Sequence, residues 1–384
     1  MIDTKALARE RTQLFSDVLE GKVPKRVPIY AFIQQEFAIQ YAGRDLAEAQ
    51  WDSGAFEEVV DKVCQDFVTD NVPVHAVRYP SIYRMLGSKN WIMGSGGFIQ
   101  HPEIEGLSAE EYDDLIASPY NCIVEKVLPR LYSELALDSP TKAFALAKAF
   151  KVYNDEFGTQ AMQTARLKEK YGYADVNLFG TICEAPLDFL ADQLRGFKGI
   201  SLDIRRVPDK VEAAVNALTP LVTKMGMQSF HAKNTCTFIP LHMAPFMREK
   251  DFARFYWPGF KKQVEELAEA GFQAFIYCEQ NWMRYIDYLA ELPERTVMFF
   301  EDGDPRLAKE KLGGKHIVTG FYPQTLLKTG NKQQCIDKAK ELVDILAPGG
   351  GYIFGFDKVL ITLDSIKPEN LQAVYEYVAA NTDY

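Results

Sequence analysis

Polar side chains suited to metal binding follow several strand-like segments in the second half of the chain. His242 follows the run FIPL, Glu279 follows FIYC, Glu301 follows VMFF, and His316 begins the segment HIVTGFY. Imidazole and carboxylate groups are common ligands of zinc and other divalent ions. The active site of a parallel barrel forms where its strands end, so we expect these side chains to meet there. The sequence therefore predicts a divalent metal site made from Glu279, Glu301, His316 and His242.

Each of these residues also has a structural interpretation that the sequence leaves open. A carboxylate after a strand is often solvated or paired with a cation, and Asp304 before Pro305 has the position of a helix N-cap. His75 and His101 could line the same site, but a histidine held by a structural hydrogen bond is commoner. The metal site is accordingly a hypothesis about the four residues taken together and not about any one of them.

Side-chain alternation along the strands predicts which residues face the interior. Neighbouring side chains of a strand point to opposite faces, so we expect Glu279 to face inward and Cys278 to pack beneath the helices. By the same alternation, His316 could point inward together with Val318 and Gly320.

Short β-branched and aromatic runs alternate with segments of helical period from about residue 230 onward. This order is typical of βα units around a parallel sheet. The predicted strands there are CTFIPLH (236–242), FQAFIYCE (272–279), TVMFFED (296–302) and HIVTGFY (316–322). The predicted helices are GFKKQVEELAEAG (259–271), a helix through Trp282 to Leu292, one around Pro305 to Leu312, one over Gln333 to Leu346, and a last one opened by Pro368.

The first half of the chain is less regular. RVPIYAFI (26–33) and DVNLFGTIC (175–183) predict further strands, and residues from about 80 to 170 form an enlarged region. We predict an α/β fold, a (β/α)8 TIM barrel with an N-terminal helical extension, in a single domain of residues 1–384. The rival is an open doubly wound sheet, but no GxGxxG or GxxxxGKS/T turn follows the first strand.

Composition restricts the classes of protein to which the chain can belong. Lysine and arginine number 43 and aspartate and glutamate 53, so the formal net charge is −10 at pH 7. An acidic surface repels phosphate backbones and anionic lipid, so we expect no nucleic-acid partner and no membrane association. No apolar run reaches the roughly 18 residues that span a bilayer, and residues 1–22 lack the apolar stretch of a secretion signal. We therefore expect a cytoplasmic protein. The six scattered cysteines indicate neither a disulfide framework nor a zinc knot.

Segments distributed along nearly the whole chain resemble the uroporphyrinogen decarboxylase superfamily, whose members are TIM barrels. The segments that carry this resemblance are GKVPKRVPI near the start, RLYSELALDSP and FLADQLRGFKGISLDIRRVPDKV in the middle, and FARFYWPGFKKQVEELAEAGFQAFIY, AKEKLGGKHIVTGFYPQTLL and KPENLQAVYEYV towards the end. The resemblance implies the same barrel that the strand and helix pattern predicts.

Two branches of this superfamily differ in the residues that bind their substrates. The decarboxylases carry an arginine-rich segment after the first strand for a substrate with many carboxylates. Here that place reads YAFIQQEFAIQYAGRDL, which has no basic cluster and contains Glu36. In the thiol-methylating methyltransferases an H-x-C-G ligand motif aligns with IYCEQNW, where this chain has Tyr277 near the histidine position and Glu279 near the cysteine position. The pattern is therefore similar to neither of these two groups.

The remaining resemblance is to the methyltransferase component of anaerobic O-demethylases. It implies transfer of a methyl group from a small methoxylated, aromatic substrate to the Co(I) corrinoid (cobalamin) of a partner protein, with zinc polarising the ether oxygen. Carboxylate and imidazole ligands leave zinc a harder Lewis acid than thiolates do, which suits an oxygen substrate. On this resemblance Glu279, Glu301 and His242 are catalytic, and these three residues with His316 bind zinc. The chain has no DxHxxG-type segment for a corrinoid, so the partner should carry that cofactor.

Three other functions are compatible with the sequence. The first is a metal-independent decarboxylase of a tetrapyrrole or another small acid. The second is a zinc-dependent corrinoid methyltransferase that acts on a thiol, an amine or an alcohol. The third is a tetrapyrrole- or corrinoid-binding module without activity. A homodimer is compatible with all of them.

Overall fold

The computed structural model describes residues 3–227 and 232–384. Its strands and helices alternate through the second half of the chain, as the sequence predicts. The strands are β1 (Ile33–Gln34), β2 (Val74–His75), β3 (Ile92–Met93), β4 (Ile99–Gln100), β5 (Asn177–Ile182), β6 (Thr235–Leu241), β7 (Gln273–Asn281), β8 (Val297–Asp302) and β9 (Ile317–Gly320).

Helices form most of the remaining structure. The longest, α9, has 33 residues and lies in the enlarged region that the sequence predicts. None of the helices in the described ranges combines the length and the apolarity needed to cross a bilayer. The α-helices are α1 (Thr4–Leu19), α2 (Gln35–Tyr41), α3 (Leu46–Ala49), α4 (Phe56–Asp66), α5 (Pro80–Leu86), α6 (Tyr112–Ala117), α7 (Pro119–Cys122), α8 (Leu128–Leu131), α9 (Ser139–Tyr171), α10 (Pro186–Phe189), α11 (Phe197–Arg206), α12 (Pro208–Gly226), α13 (Glu249–Asp251), α14 (Trp257–Glu269), α15 (Ile286–Leu289), α16 (Pro305–Leu312), α17 (Gln324–Thr329), α18 (Lys332–Leu346) and α19 (Pro368–Asn381).

The strands β5 to β9 form one parallel sheet in the order β5-β6-β7-β8-β9. In this sheet Phe238 of β6 pairs with Phe275 of β7, and Tyr277 of β7 pairs with Phe299 of β8. The strands are rich in β-branched and aromatic residues and are buried along most of their length, as parallel strands covered on both faces are. All their carboxyl ends meet at one edge, which we call the carboxyl edge.

Single parallel bridges continue this sheet beyond β9. Tyr352 pairs with Val318, and Phe354 pairs with Ile29. β1 then pairs with β2, again in parallel. Within residues 3–227 and 232–384 no strand pair joins β2 to β5, so the ladder is open at that point. The predicted α/β class with a parallel sheet is confirmed, and closure into a complete barrel stays a prediction.

The side chains of the strands alternate between two hydrophobic cores. Phe238, Phe275 and Phe299 lie in an inner core on one face of the sheet. Ile239 and Ile276 lie on the other face and pack with the surrounding helices. This alternation decides which strand-end residues face the inner core and which face the helices.

The predicted N-terminal helical extension is α1, and its last turns cover the amino end of the inner core. Phe15 and Val18 are fully buried in that core. The Nε2 of Gln273, the first residue of β7, donates to the Leu19 carbonyl at 3.4 Å, and the amide of Asn234, just before β6, donates to Ser16 Oγ at 2.9 Å. The last turns of α1 therefore cover the amino end of the inner core.

Two predicted elements differ from the observed ones. The helix predicted from Trp282 to Leu292 is a short 3-10 turn, Met283–Tyr285, followed by α15. The Tyr285 hydroxyl donates to the Met247 carbonyl at 2.8 Å and holds this turn against the neighbouring loop. The strand predicted over residues 26–33 forms mainly isolated bridges, and Pro28 within it has no N–H to donate.

Candidate active site

His242 lies directly after β6, at the carboxyl edge, among three carboxylates. Its Nδ1 is 2.5 Å from Asp192 Oδ2, and its Nε2 is 3.2 Å from Glu279 Oε1. Its main-chain N–H donates to Asp188 Oδ2 at 3.1 Å. Because β6 and β7 are parallel neighbours, their ends bring His242 and Glu279 together. We call His242, Asp188, Asp192 and Glu279 the acid–imidazole cluster.

The carboxylates of this cluster favour the charged form of the imidazole. Burial lowers the pKa of His242, but hydrogen bonds to Asp192 and Glu279 and the charge of Asp188 outweigh burial and raise the pKa far above its ordinary value. Both ring nitrogens therefore carry protons at neutral pH, one donated to Asp192 and the other to Glu279. The side chains of His242 and Glu279 are 32% and 35% exposed, so a ligand can reach the pair.

Asp188 anchors the cluster from below and is fully buried. Its carboxylate accepts hydrogen bonds from the main-chain N–H of Met243 at 2.8 Å and from the Tyr256 hydroxyl at 2.5 Å, in addition to that of His242. Burial raises the pKa of Asp188 to about 6, although the charge of His242 opposes this shift. Three donors on one buried carboxylate fix the start of the loop that follows β6.

Glu184 is a second buried carboxyl group near the cluster. The Gln193 side chain donates to its Oε1 at 2.8 Å, whereas its Oε2 is buried without a hydrogen-bond partner among the described residues. Burial, followed by the charge of Asp192, raises the pKa of Glu184 to about 8. Glu184 is therefore largely protonated at neutral pH.

Glu301 lies at the end of β8 beside the cluster, but its carboxylate is already paired. The main-chain N–H of Gln280 donates to its Oε2 at 2.7 Å, and Lys358 Nζ lies 2.5 Å from its Oε1. Gln280 has a φ of 59°, a left-handed conformation that turns its N–H towards Glu301. The Lys358 side chain is 53% exposed, and its hydrogen bond to Glu301 raises the pKa of Lys358.

His316 lies at the other end of the sheet, which corrects its predicted place in the site. It immediately precedes β9 and is 2% exposed, with Nε2 3.4 Å from the Ala290 carbonyl and Nδ1 without a partner among the described residues. Its neighbour Ile317 faces the inner core, so His316 and Val318 face the helices instead. Burial lowers the pKa of His316 to about 4. A histidine that starts a parallel strand cannot meet residues that follow the other strands.

Aromatic side chains of the enlarged region lie near the acid–imidazole cluster. We call Tyr83, Trp91 and His101 the aromatic wall. The rings of Trp91 and His101 stack with centroids 4.0 Å apart, Tyr83 stacks with Trp91 at 5.6 Å, and the Arg78 guanidinium lies 5.3 Å from the Trp91 ring. Burial lowers the pKa of His101, whose imidazole also senses the charges of the cluster. Arg78 has no ion-pair partner in the part of the chain that the structure describes. A cavity of about 380 Å³ opens between this wall and Trp51.

The other residues singled out from the sequence have structural roles. His75 stacks on Tyr30 at 5.7 Å, with Nε2 3.2 Å from the Ala31 carbonyl, and burial lowers its pKa to about 4. Cys278 is fully buried among the helices, as its alternation with Glu279 predicts. Asp304 caps α16, since its Oδ1 accepts from the Arg306 N–H at 2.8 Å.

The predicted ligands form only part of a zinc site. The separation of 3.2 Å between His242 Nε2 and Glu279 Oε1 suits two ligands of one tetrahedral ion, and Asp192 orients the imidazole as outer partners of zinc ligands do. Glu301 is paired with Lys358, and His316 is remote. In residues 3–227 and 232–384 no three His, Cys, Asp or Glu side chains form a group that could hold a metal. As arranged, the residues do not fit a catalytic zinc, which takes three protein ligands.

Four candidate functional residues were not predicted from the sequence. Glu184, Asp188 and Asp192 follow the predicted strand at a spacing of four, which is the spacing of side chains on one face of a helix, and this spacing is a signal that the sequence offers. In the structure Glu184 precedes α10. Lys358 follows the run GGGYIFGF by one residue, and nothing in the pattern pairs it with Glu301. That pairing is visible only in three dimensions.

The fold and the carboxyl-edge cluster define an α/β protein whose candidate site lies where parallel strands end. Residues 123–380 match the uroporphyrinogen decarboxylase (URO-D) family. Because this match covers more than half of the chain, the chain belongs to the uroporphyrinogen decarboxylase (URO-D) family.

A solved structure shares this fold. It is a methyltransferase from Methanosarcina mazei, which aligns with a TM-score of 0.60 and 13% sequence identity over 96% of this chain and 98% of that chain. At this identity the likeness concerns the fold alone. No curated protein matches the chain in sequence.

Proposed function

We propose that the chain is a methyltransferase that moves a methyl group from a methoxylated aromatic compound to the Co(I) corrinoid of a separate partner protein. The observation that carries the proposal is the acid–imidazole cluster, in which His242 is held protonated between Asp192 and Glu279 at the carboxyl edge. The fold likeness to a methyltransferase supports the reaction type.

We also propose that the parallel sheet belongs to a (β/α)8 barrel. Bridges from β9 through residues 352–354 and Ile29 to β1 and β2 supply the segments that the five-stranded sheet lacks. A single hydrogen bond from the Ala174 N–H to the Asp70 carbonyl, at 2.8 Å, lies between the β2 and β5 segments. The carboxyl edge is then the mouth of the barrel, where the sites of such folds lie.

The aromatic wall suits a flat substrate that carries an anionic group. Trp91 and His101 offer aromatic surface, and stacking on such surface stabilises an aromatic ring. Arg78 lies over the same ring system and makes no ion pair within the described residues, although its charge opposes the rise in the pKa of Glu36 that burial causes. A guanidinium with free donors binds a carboxylate in a bidentate manner. We therefore assign a methoxylated aromatic acid as the preferred substrate.

His242 is the group that assists the departing oxygen. The Co(I) corrinoid of the partner would supply the nucleophile for the methyl carbon, and the aryl oxygen would be the leaving group. The Nε2–H of the charged His242, which donates to Glu279 in the free protein, would donate instead to the ether oxygen, and its positive charge would stabilise the phenolate that leaves. Asp192 holds the other ring nitrogen and fixes the imidazole in this orientation. A preorganised hydrogen-bond donor to a departing oxyanion contributes about 10²–10³-fold to such a step.

The zinc ion stays a prediction from the family resemblance, and no step above depends on it. His242 and Glu279 are the two residues that would hold the ion, and Glu301 becomes a third ligand only if it gives up Lys358. Metal content of the purified wild type beside Glu279→Ala and Glu301→Ala tests this prediction. A zinc site that used both carboxylates would hold about one zinc per chain in the wild type and would lose it in both variants. Zinc retained by both variants would contradict the ligand assignment.

The reaction is tested with the purified chain, chemically reduced cob(I)alamin as acceptor, and a panel of methoxylated benzoates. Methylation is followed by the change in cobalamin absorbance, and the phenol product is quantified by chromatography. The proposal expects the two products in equal amounts. Release of carboxyl carbon from uroporphyrinogen by the same preparation, with no methyl transfer from any compound of the panel, would favour the decarboxylase.

A further inference from the structure

Two neighbouring side chains at the ends of β1 and β2 each keep a hydrogen-bond acceptor without a donor. Gln34 ends β1, His75 ends β2, and the two residues pair with each other in the parallel register. Gln34 is 6% exposed, and its Oε1 is buried without a hydrogen-bond partner among the described residues. A buried oxygen of this kind loses its hydrogen bonds to water and gains none in return, which is rare in folded proteins. The unpaired oxygen therefore points to a donor that binds from outside the chain.

The tautomer of His75 follows from the hydrogen bonds of Asn71. The Nδ2 group of Asn71 donates one proton to the Ala31 carbonyl at 2.9 Å and the other to the Val72 carbonyl at 2.8 Å, and its Oδ1 accepts from the Ala31 N–H at 2.8 Å. Asn71 has no proton left for His75 Nε2, which is 3.4 Å away. Nε2 therefore carries the ring proton and donates it to the Ala31 carbonyl at 3.2 Å. Burial lowers the pKa of His75 to about 4, so at neutral pH Nδ1 has a lone pair that no donor of the described residues reaches.

Both side chains face the inner side of the sheet at the carboxyl edge. Ile33 packs on the helix side, so alternation turns Gln34 to the opposite face. The His75 ring contacts Phe32 and Phe179 on that face, with centroids 5.5 and 5.4 Å apart. These three rings are only partly buried, so a small molecule can reach them. Because neighbouring strands lie about 4.8 Å apart, one small group can contact the ends of both β1 and β2.

The surroundings of the two acceptors favour a cation. The faces of aromatic rings attract a positive charge nearby, and Phe32 and Phe179 supply such rings. The imidazole of His75 is neutral and does not repel a cation. The acid–imidazole cluster at the same edge holds three carboxylates against the single charge of His242. The net negative charge of this cluster attracts cations to the edge.

We propose that Gln34 and His75 form a binding site for the primary ammonium group of a small molecule. Gln34 Oε1 and His75 Nδ1 each accept one N–H, and the rings of Phe32 and Phe179 lie beside the charge. A hydroxyl group donates one hydrogen bond and leaves one acceptor unpaired, whereas an ammonium group has three donors. This site is distinct from Arg78, which suits an anion, and ligand binding to it does not depend on methyl transfer.

The first test measures binding of benzylamine, an ammonium ion at neutral pH, by isothermal titration calorimetry of the full-length chain. Corrinoid and methyl donor are left out, so the result is separate from that of the reaction assay. Benzyl alcohol is the matched probe, because it has the same ring and a single donor. We expect its Kd to be at least about tenfold higher than that of benzylamine. Equal affinities would overturn the proposal. Binding of neither probe would overturn it too, and the two acceptors would then hold only water.

The second test removes the unpaired oxygen. Gln34→Met should raise the Kd of benzylamine at least about tenfold. Its free energy of unfolding in urea should not fall, because the oxygen has no partner in the free protein. Gln324→Met is the matched control, since Gln324 is 9% exposed and its Nε2 donates to Ser365 Oγ at 3.0 Å. This control should lose stability and keep wild-type affinity. A Gln34→Met variant that binds benzylamine as the wild type does would overturn the proposal.

The third test observes His75 directly by nitrogen-15 NMR of the imidazole. The free protein should show the proton on Nε2, and the Nδ1 resonance should shift when benzylamine is added. His75→Phe keeps an aromatic ring and removes Nδ1, so it should weaken benzylamine binding as Gln34→Met does. A proton on Nδ1 in the free protein, or an Nδ1 resonance that benzylamine does not move, would contradict the assigned role of His75.

Discussion

Two histidines, at opposite ends of the same parallel sheet, have opposite environments. His242 follows β6 and lies between Asp192 and Glu279, which raise its pKa far above the ordinary value and keep it charged. His316 precedes β9, its Nε2 lies 3.4 Å from the Ala290 carbonyl, and burial lowers its pKa to about 4. The carboxyl edge collects carboxylates around an accessible imidazole, whereas the amino end buries a neutral one.

The difference between the two histidines shows that the end of the strand at which a residue lies determines which other residues it can contact. Both residues flank strand-like runs in the sequence, and both are chemically able to bind a metal. Only a residue that follows its strand can meet the residues that follow the neighbouring strands, because parallel strands share one direction. A histidine at the start of a strand faces the loops of the other end. Strand direction is therefore a stronger criterion than residue type.

The largest expected effect concerns the anchor of the carboxyl edge. Asp188→Ala removes the acceptor of three hydrogen bonds in a fully buried place and leaves two main-chain N–H groups and the Tyr256 hydroxyl without a partner. We expect the free energy of unfolding in urea to fall by about 3 kcal/mol or more. Tyr256→Phe removes a single donor and is the control, with an expected loss of about 1 kcal/mol. Equal losses in the two variants would contradict the anchoring role.

The next largest expected effect concerns His316 at the amino end of the sheet. Its protonation should make the free energy of unfolding depend on pH. The pKa of His316 is about 4 in the folded chain and about 6.5 when unfolded, so the unfolded chain binds the proton first. The stabilisation is therefore complete above pH 6.5 and is lost as the pH falls towards 4, by about 3 kcal/mol at most. Urea unfolding of the wild type and of His316→Gln at pH 7 and pH 4.5 measures the difference. An identical loss in both proteins would show that His316 does not contribute.

A substitution beside the aromatic wall should weaken substrate binding and leave the rate of the chemical step unchanged. Arg78→Gln removes the guanidinium that lies over Trp91, so we expect KM for a methoxylated benzoate to rise about tenfold at unchanged kcat. A neutral methoxylated benzene is the control substrate, since it has no carboxylate to lose. A rise in KM for both substrates would mean that Arg78 supports the wall and does not bind the anion.

The smallest expected effect concerns Lys358. Its side chain is 53% exposed, so its pair with Glu301 resembles a surface ion pair, and Lys358→Met should change the free energy of unfolding by less than about 1 kcal/mol. The same variant frees Glu301, and zinc titrated into it should bind more tightly than into the wild type. Zinc affinity that does not change would contradict a competition between Lys358 and the metal for Glu301.

The sequence predicts the strands of the second half closely, and it predicts the meeting of His242 with Glu279. Both succeed because the order of βα units sets which strand ends are neighbours. The sequence does not predict the pairing of Glu301 with Lys358, since these residues lie far apart in the chain and meet only in the folded structure. Nor does it predict Asp188, because a buried carboxylate that accepts main-chain N–H groups looks the same in a sequence as an exposed one.

The measurement that tests the account most directly compares His242→Gln with His316→Gln in methyl transfer from a methoxylated benzoate to cob(I)alamin. We expect His242→Gln to lose at least about 100-fold in kcat, because the departing oxygen loses its charged hydrogen-bond donor. We expect His316→Gln to keep the wild-type kcat and to lose only the contribution of His316 to the pH dependence of stability. Comparable activity in His242→Gln and the wild type, or a loss of turnover in His316→Gln while it remains folded, would contradict the assignment of the reaction to the carboxyl edge.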